Sequence, residues 1–237
     1  MNTFSASASE ILSAAMQDYG RAVIVGTDTT FGKGTVQTLL DLDNMAGSAN
    51  ADLRPLGTVK MTVQKFYRVN GGSTQLRGVS PDVLLPDAYT ELGMGEKSME
   101  YAMPWDTVKA LDIHRWNGLP LKDIQARSRA RVAASPYFQK MGEFLKSQAA
   151  IRKRLYVPLS LKAFLEERER NRHESDTLDA LQKQTTDLFV DPLPTGNAVA
   201  AADSVEQQKV KSWKEQLGRD FYLREAVDIV DDWAGKK

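Results

Sequence analysis

No cysteine occurs anywhere in this chain. Its absence excludes thiol nucleophiles, disulfides and every Cys-ligated metal site. Histidine is scarce: His114 and His173 are the two present. They share no metal-like spacing with other ligands, and a Ser-His-Asp triad would have to recruit one of them from far along the chain. Net charge is missing too, since 31 Lys+Arg balance 31 Asp+Glu. Nothing therefore pulls the chain as a whole toward nucleic acid or an anionic membrane. No apolar run approaches the roughly 18 residues that a membrane span needs, and no signal-peptide pattern follows Met1. What is present is a core-forming composition, 42% hydrophobic over 237 residues, enough for one large domain or two small ones.

Charge is distributed unevenly. Residues 1–104 hold 8 Lys/Arg and 11 Asp/Glu, whereas residues 105–237 hold 23 and 20. The near doubling in density predicts two structural regimes, 1–104 and 105–237, with a boundary near Pro104. The first reads as α/β (α+β). Ile11, Leu12, Ala15, Met16 and Tyr19 recur at helical spacing over 9–19, and Gly20 stands where a helix C-terminus favours glycine. Residues 22–26 (AVIVG) read as a buried strand. Residues 58–69 alternate like a strand, Asn70-Gly71 signals a hairpin turn, residues 73–77 form the return strand, and residues 81–86 are extended. The second regime reads as mostly α-helical: 107–116, 121–134, 136–154, 159–171 and 221–233 carry 3.6-residue spacing with charged outer faces. Residues 187–204 read as a linker.

Two short stretches carry candidate chemistry. In SASAS (residues 5–9), serines alternate with alanines at the mouth of the first helix. One serine there is a cap, its oxygen satisfying an orphan amide. Three in alternation exceed what capping needs, and helix-start amides are also suited to holding an oxyanion. A serine hydroxyl needs a base. Lys33, in TFGKGTVQ (residues 30–37), is a base outside histidine chemistry, provided that burial keeps its amine neutral. If the chain turns helically after it, Gln37 comes within reach to orient the amine. The same loop fails as a phosphate-binding loop twice: five residues separate Gly26 from Gly32, and Gly34, not Ser or Thr, follows Lys33.

Together SASASEI, AMQDYGRAVIVG, TFGKGTVQ and QKFYRVNGGSTQLRGVSPDV resemble the tail-specific, or carboxy-terminal processing, serine protease family, without a break over residues 4–86. The helical remainder, with MPWD (103–106) and FYLRE (221–225), resembles the C-terminal helical region of the tail-specific branch. The resemblance implies a Ser-Lys endopeptidase with Ser7 as nucleophile, Lys33 as general base and Gln37 completing the triad. It implies further that the amide of Ala8 is one oxyanion donor and that Asp18 is a supporting carboxylate, for which a purely structural role at the helix end is the plainer reading. The loop before Lys33 is one residue longer than the family's usual Gly-Glu-Pro-Thr-Phe. No cofactor or metal is implied. The implied partners are protein or peptide substrates with apolar C-termini and an adaptor protein. The implied location is periplasmic, with the export signal outside this chain. A PDZ domain, the first half of the protease fold and the second oxyanion amide are expected upstream, so the 237 residues alone are expected to have little or no peptidase activity.

A rival reading makes the chain a non-catalytic interaction module whose helical region docks an adaptor or subunit. Nucleic-acid binding is the weaker reading of Arg127, Arg129, Arg131 and Arg152-Lys153-Arg154, because Glu166, Glu167 and Glu169 dilute their field. The hairpin 67–73 admits two uses, a plain turn or a sheet edge on which a substrate strand adds.

Overall fold

The computed structural model describes residues 1–47, 52–90, 93–157, 159–193 and 204–235. The fold is α+β with a mostly helical C-terminal part, and it divides into two compact units, residues 1–84 with 92–119 and residues 85–91 with 120–237. No described helix is long and apolar enough to cross a membrane.

In the first unit, helix α1 (Ala8–Asp18) follows Ser7, close to the expected bounds. The apolar positions that announce it are not the ones it buries. Its packed face is Glu10, Ser13 and Ala14, while Ile11 and Leu12 stay exposed. Polar anchoring through Glu10, described below, sets its orientation. Of the strand expected over 22–26, only β1 (Val25–Gly26) forms, and it pairs in parallel with β4 (Val83–Leu84). Just before β1, the amide of Ile24 donates to the Asp82 carboxylate at 2.8 Å. Ala14, Ile24, Val79 and Val83 form the apolar core of this unit. Strands β2 (Thr35–Asp41) and β3 (Thr58–Lys65) make a separate antiparallel ribbon, with a bulge between Val36 and Gln37, and the four-residue helix α2 (Leu42–Met45) caps its far end.

Two sequence expectations are corrected here. Residues 107–116 form no helix. They run as a strap whose backbone groups are spent on the hairpin: Val108 N donates to Gly71 O and Leu111 N to Val69 O, each at 2.8 Å, and Thr107 bridges Gly72. Long-range pairing overrides a weak local period. Residues 73–77 are likewise no full return strand. Ser73 alone bridges Tyr67, and the chain then turns, with Gly78 N donating to Thr74 O at 2.7 Å.

The second unit packs helices α3 (Leu121–Ala134), α4 (Pro136–Lys153), α5 (Leu161–Gln182), α6 (Ser204–Leu217) and α7 (Phe221–Trp233). Ser135 ends α3 and caps α4, accepting from Phe138 N, and Pro136 takes the first helical position, where its missing N–H costs nothing. Asp220 caps α7 by accepting from the amides of Tyr222 and Leu223 at 2.9 Å. The core holds Ile124, Met141, Leu181 and Ile229 with an aromatic cluster in which Tyr137 stacks on Phe221, 4.1 Å between centroids. Burial raises the Tyr222 hydroxyl far above its ordinary pKa, and it donates to Pro86 O at 2.9 Å. Arg131 on α3 grips buried Glu225 and also Asp232 on α7, at 2.7 Å each. Removing one partner of such a buried pair costs more than the pair contributes. Of the expected linker, residues 194–203 lie outside the described residues. Residues 187–193 are held, Asp187 by Arg224 and Asp191 by Lys214.

Candidate active site

The three serines of SASAS have different jobs. Ser5 closes a local turn, its hydroxyl accepting from Asn2 N at 3.1 Å. Ser9 lies exposed on α1. Ser7, at the N-cap, has φ 56° and ψ −111°. A non-glycine residue held there stores about 1–3 kcal/mol of backbone strain, which persists only where surrounding contacts over-determine it. A strained turn of this kind before a helix is how a nucleophile elbow presents a serine hydroxyl. Ala8 follows as the first residue of α1, with an amide that a helix start leaves without an intrahelical partner.

The contacts that over-determine Ser7 converge on Glu10, which is fully buried. Its Oε2 accepts from Ser7 N at 2.8 Å and from Lys33 N at 2.9 Å. Its Oε1 accepts from Gly32 N at 2.7 Å and from the Thr30 hydroxyl. Thr30 in turn accepts from Val79 N at 2.7 Å. One carboxylate oxygen thus binds the backbones of both sequence-predicted catalytic residues and sets their amides within two hydrogen-bond lengths of each other. Charge-assisted bonds of this type are about twice as strong as neutral ones.

The lysine loop is pinned on every side. Phe31 N donates to Ser5 O at 2.9 Å and Gly34 N to the Gln75 side chain at 2.8 Å. Gly32 sits at φ 91°, where only glycine is unstrained. At Gly34 the constraint is space: a Cβ there would meet Ser73 Oγ at 2.5 Å and Gln75 N at 2.6 Å. Gly34→Ala is therefore expected to destabilise the first unit by about 2 kcal/mol, an overpacking cost in a site with no room to relax. Urea unfolding midpoints at constant m-value would check it.

The other expected site residues are placed as follows. Gln37 stands exposed on β2 and not on a helical turn, because pairing with β3 keeps residues 35–41 extended. Asp18, at the far end of α1 from Ser7, accepts twice from Arg68, at 2.6 and 3.0 Å. Helix α1 separates it from Ser7 by about 16 Å at the usual rise, so its carboxylate acts on the helix and not on the hydroxyl. The open side of the hairpin at Val69–Gly72 already carries the chain's own strap, and a substrate strand adding there would have to displace it. Glu10, Thr30 and Gln75 were not legible as site residues. The Ser7-x-x-Glu10 spacing of a capping box is the signal that could have found the first.

At the base of the ribbon, Lys65 Nζ donates to Asp106 Oδ2 at 2.9 Å and the Tyr67 hydroxyl donates to the same oxygen at 3.2 Å. The Lys65 hydrogen bond holds the Asp106 carboxyl below the usual aspartate range. A carboxylate depressed in the folded state contributes stability that is present above its unfolded pKa, about 3.9, and is lost as pH falls through the lower folded value. Asp106→Asn is expected to flatten stability against pH below about pH 4, and acid titration of the unfolding midpoint would show it.

Comparison with known proteins places the chain. Residues 89–235 match the family described as the C-terminal domain of tail specific protease, and residues 1–85 match peptidase family S41. The chain belongs to the tail-specific protease family. It is 33% identical over 242 residues to a tail-specific protease of Haemophilus influenzae, an alignment covering 98% of this chain and 32% of that protein. It is 36% identical over 105 residues to a carboxy-terminal-processing protease of Bartonella bacilliformis, covering 42% and 21% of the two chains. Over 85 residues it is 39% identical to a chloroplastic C-terminal processing peptidase of Tetradesmus obliquus, covering 36% and 16%. The chain thus spans about a third of the length of the relative that matches nearly all of it.

Proposed function

We propose that the first unit carries the Ser-Lys site of an endopeptidase. Ser7 Oγ attacks the scissile carbonyl. Lys33 Nζ takes the serine proton and later gives it to the leaving amine, and the Ala8 amide is one donor to the oxyanion. Gln37 orients the amine across a short stretch of β2. The bulge between it and Val36 is a device that re-aims side chains beside active sites. Asp18 holds α1 through Arg68. The observation that carries this reading is the shared acceptor: Ser7 N and Lys33 N both donate to Glu10 Oε2. Among the described residues no hydrogen bond or ion pair engages Lys33 Nζ, so its amine is not committed to a carboxylate.

Substrates with apolar C-termini, an adaptor and a periplasmic location belong to the same proposal and follow from the family. So does low activity for the 237 residues on their own. A second reading, in which the helical region serves as a docking module, is favoured by one feature: Leu155 and Leu159 of the second unit are 98% and 99% exposed. The two readings are compatible. A fluorophosphonate probe applied to the complete natural polypeptide that contains these residues decides the first. Labelling at Ser7 that disappears in Lys33→Ala is expected, and labelling that survives Lys33→Ala removes the lysine from the mechanism.

A further inference from the structure

We infer that Gln75 is a positioning residue for Lys33, holding the lysine's loop through the Gly34 amide and braced from behind by Glu96. The inference rests on the Ser-Lys reading above. Gln75 is fully buried. An amide side chain without partners is costly to bury, yet every polar group of this one is used. Its Oε1 accepts from Gly34 N at 2.8 Å, and its Nε2 donates to Met103 O at 3.1 Å and to Glu96 Oε1 at 3.2 Å. Two acceptors on one side and one amide donor on the other fix which way the side chain points.

The consequence falls on the lysine. Four consecutive loop amides, Phe31 to Gly34, are all held. Glu10 fixes the two amides up to and including Lys33, and Gln75 fixes the next. Lys33 is thus clamped on both flanks by buried side chains from different parts of the unit. Glu96 secures the outer layer twice, accepting from Gln75 and donating its own amide to Phe31 O at 2.8 Å. Misplacement of a catalytic group by about 1 Å costs on the order of 100-fold in rate, so the second flank is worth a rate effect and not only stability.

The test uses the complete natural polypeptide with a peptide substrate, and three variants. Gln75→Leu removes the acceptor. Gln75→Glu keeps the acceptor but sets a second carboxylate against Glu96. The reciprocal swap, Gln75→Glu with Glu96→Gln, restores one donor facing one acceptor between the two side chains and keeps the charge of the pair, while Met103 O lacks its donor in both Gln75→Glu and the swap. Gln75→Leu is expected to turn over roughly 10- to 100-fold more slowly, the scale set by a misplaced catalytic group, and Gln75→Glu to be slowed comparably. KM is expected to change less than about threefold, because the loop is misplaced and substrate contacts are not, and the swap is expected to run at least about threefold faster than Gln75→Glu alone. A residue that only filled the core would change the folded fraction and leave turnover per folded molecule unmoved. The inference is overturned if folded Gln75→Leu keeps its turnover within about twofold of the parent, or if the swap is no better than Gln75→Glu alone. Where Gln75→Leu does not fold, the comparison of Gln75→Glu with the swap decides. Lys33→Ala is run beside them: if it keeps full activity the Ser-Lys reading itself fails, whereas its inactivity beside unaffected Gln75 variants sinks only this inference.

Discussion

Glu10→Gln is expected to cost the first unit about 3 kcal/mol and to reduce activity of the complete polypeptide to below about 1%. The carboxylate takes four donors, two per oxygen. An amide in its place has one oxygen, which serves two of them, and an NH2 group that points at the other two. Two buried donors then lack an acceptor, at about 1–3 kcal/mol each. Part of this is offset because a neutral side chain is cheaper to bury than a charged one, which keeps the figure near ~3 kcal/mol. The rate effect is the larger one. Either way the amide turns, it abandons Oε2, whose acceptance joins Ser7 to Lys33, or Oε1, which holds Gly32 and Thr30. The test is a urea midpoint together with turnover per folded molecule. An unchanged midpoint would mean that the four bonds contribute nothing net, and unchanged turnover would mean that elbow and lysine loop are set elsewhere.

The sequence showed the serine and the lysine but not what joins them, and the reason is physical. Ser7 and Lys33 stand in local contexts with recognisable chemistry, a small-residue helix start and a glycine-flanked lysine. Apart from the Glu10 bond to Ser7 N, three residues away, Glu10, Thr30 and Gln75 hold the lysine loop and its surroundings at separations of 20 to 49 residues, and a buried carboxylate on a helix looks from sequence like any solvent-facing glutamate. The same split runs through the fold. Helices α4 and α7 were legible to within a residue because their starts carry local signals, Ser135-Pro136 and Asp220. Helix α5 continues to Gln182, well beyond the expected end at Asn171. Residues 172–177 (RHESDT) hold no apolar residue to report a period, and that gap hid the continuation. Strand β2 was missed altogether. Val36, Gln37 and Leu39 are exposed, no core-facing alternation marks them, and β3 is what makes them a strand. Helix α6 begins where the expected linker ends, at Ser204, and no element was expected over its length. Residues 107–116 fail in the opposite sense, a helical period overruled by hydrogen bonds to a hairpin far earlier in the chain.

The largest effects are expected at Lys33 and Ser7, and those at Lys33 separate two roles that a lysine can play. As an electrostatic stabiliser, Lys33 would be charged and replaceable by another cation. As a general base it must lose a proton, which an arginine in a protein does not do. Lys33→Arg and Lys33→Ala are therefore expected to be equally damaging, each slowing turnover by about 10³-fold or more, at the upper part of the range for a positioned acid–base group. Ser7→Ala should be at least as severe, since it removes the proposed attacking atom. Ser7→Ala combined with Lys33→Ala should be no worse than the worse single variant, because groups that act as one unit are not additive. Single-turnover cleavage of a peptide by the complete polypeptide, with folding checked by thermal melting, gives these numbers directly. If Lys33→Arg stays within about tenfold of the parent rate, the lysine is acting through its charge, and the proton from Ser7 must go to some other group.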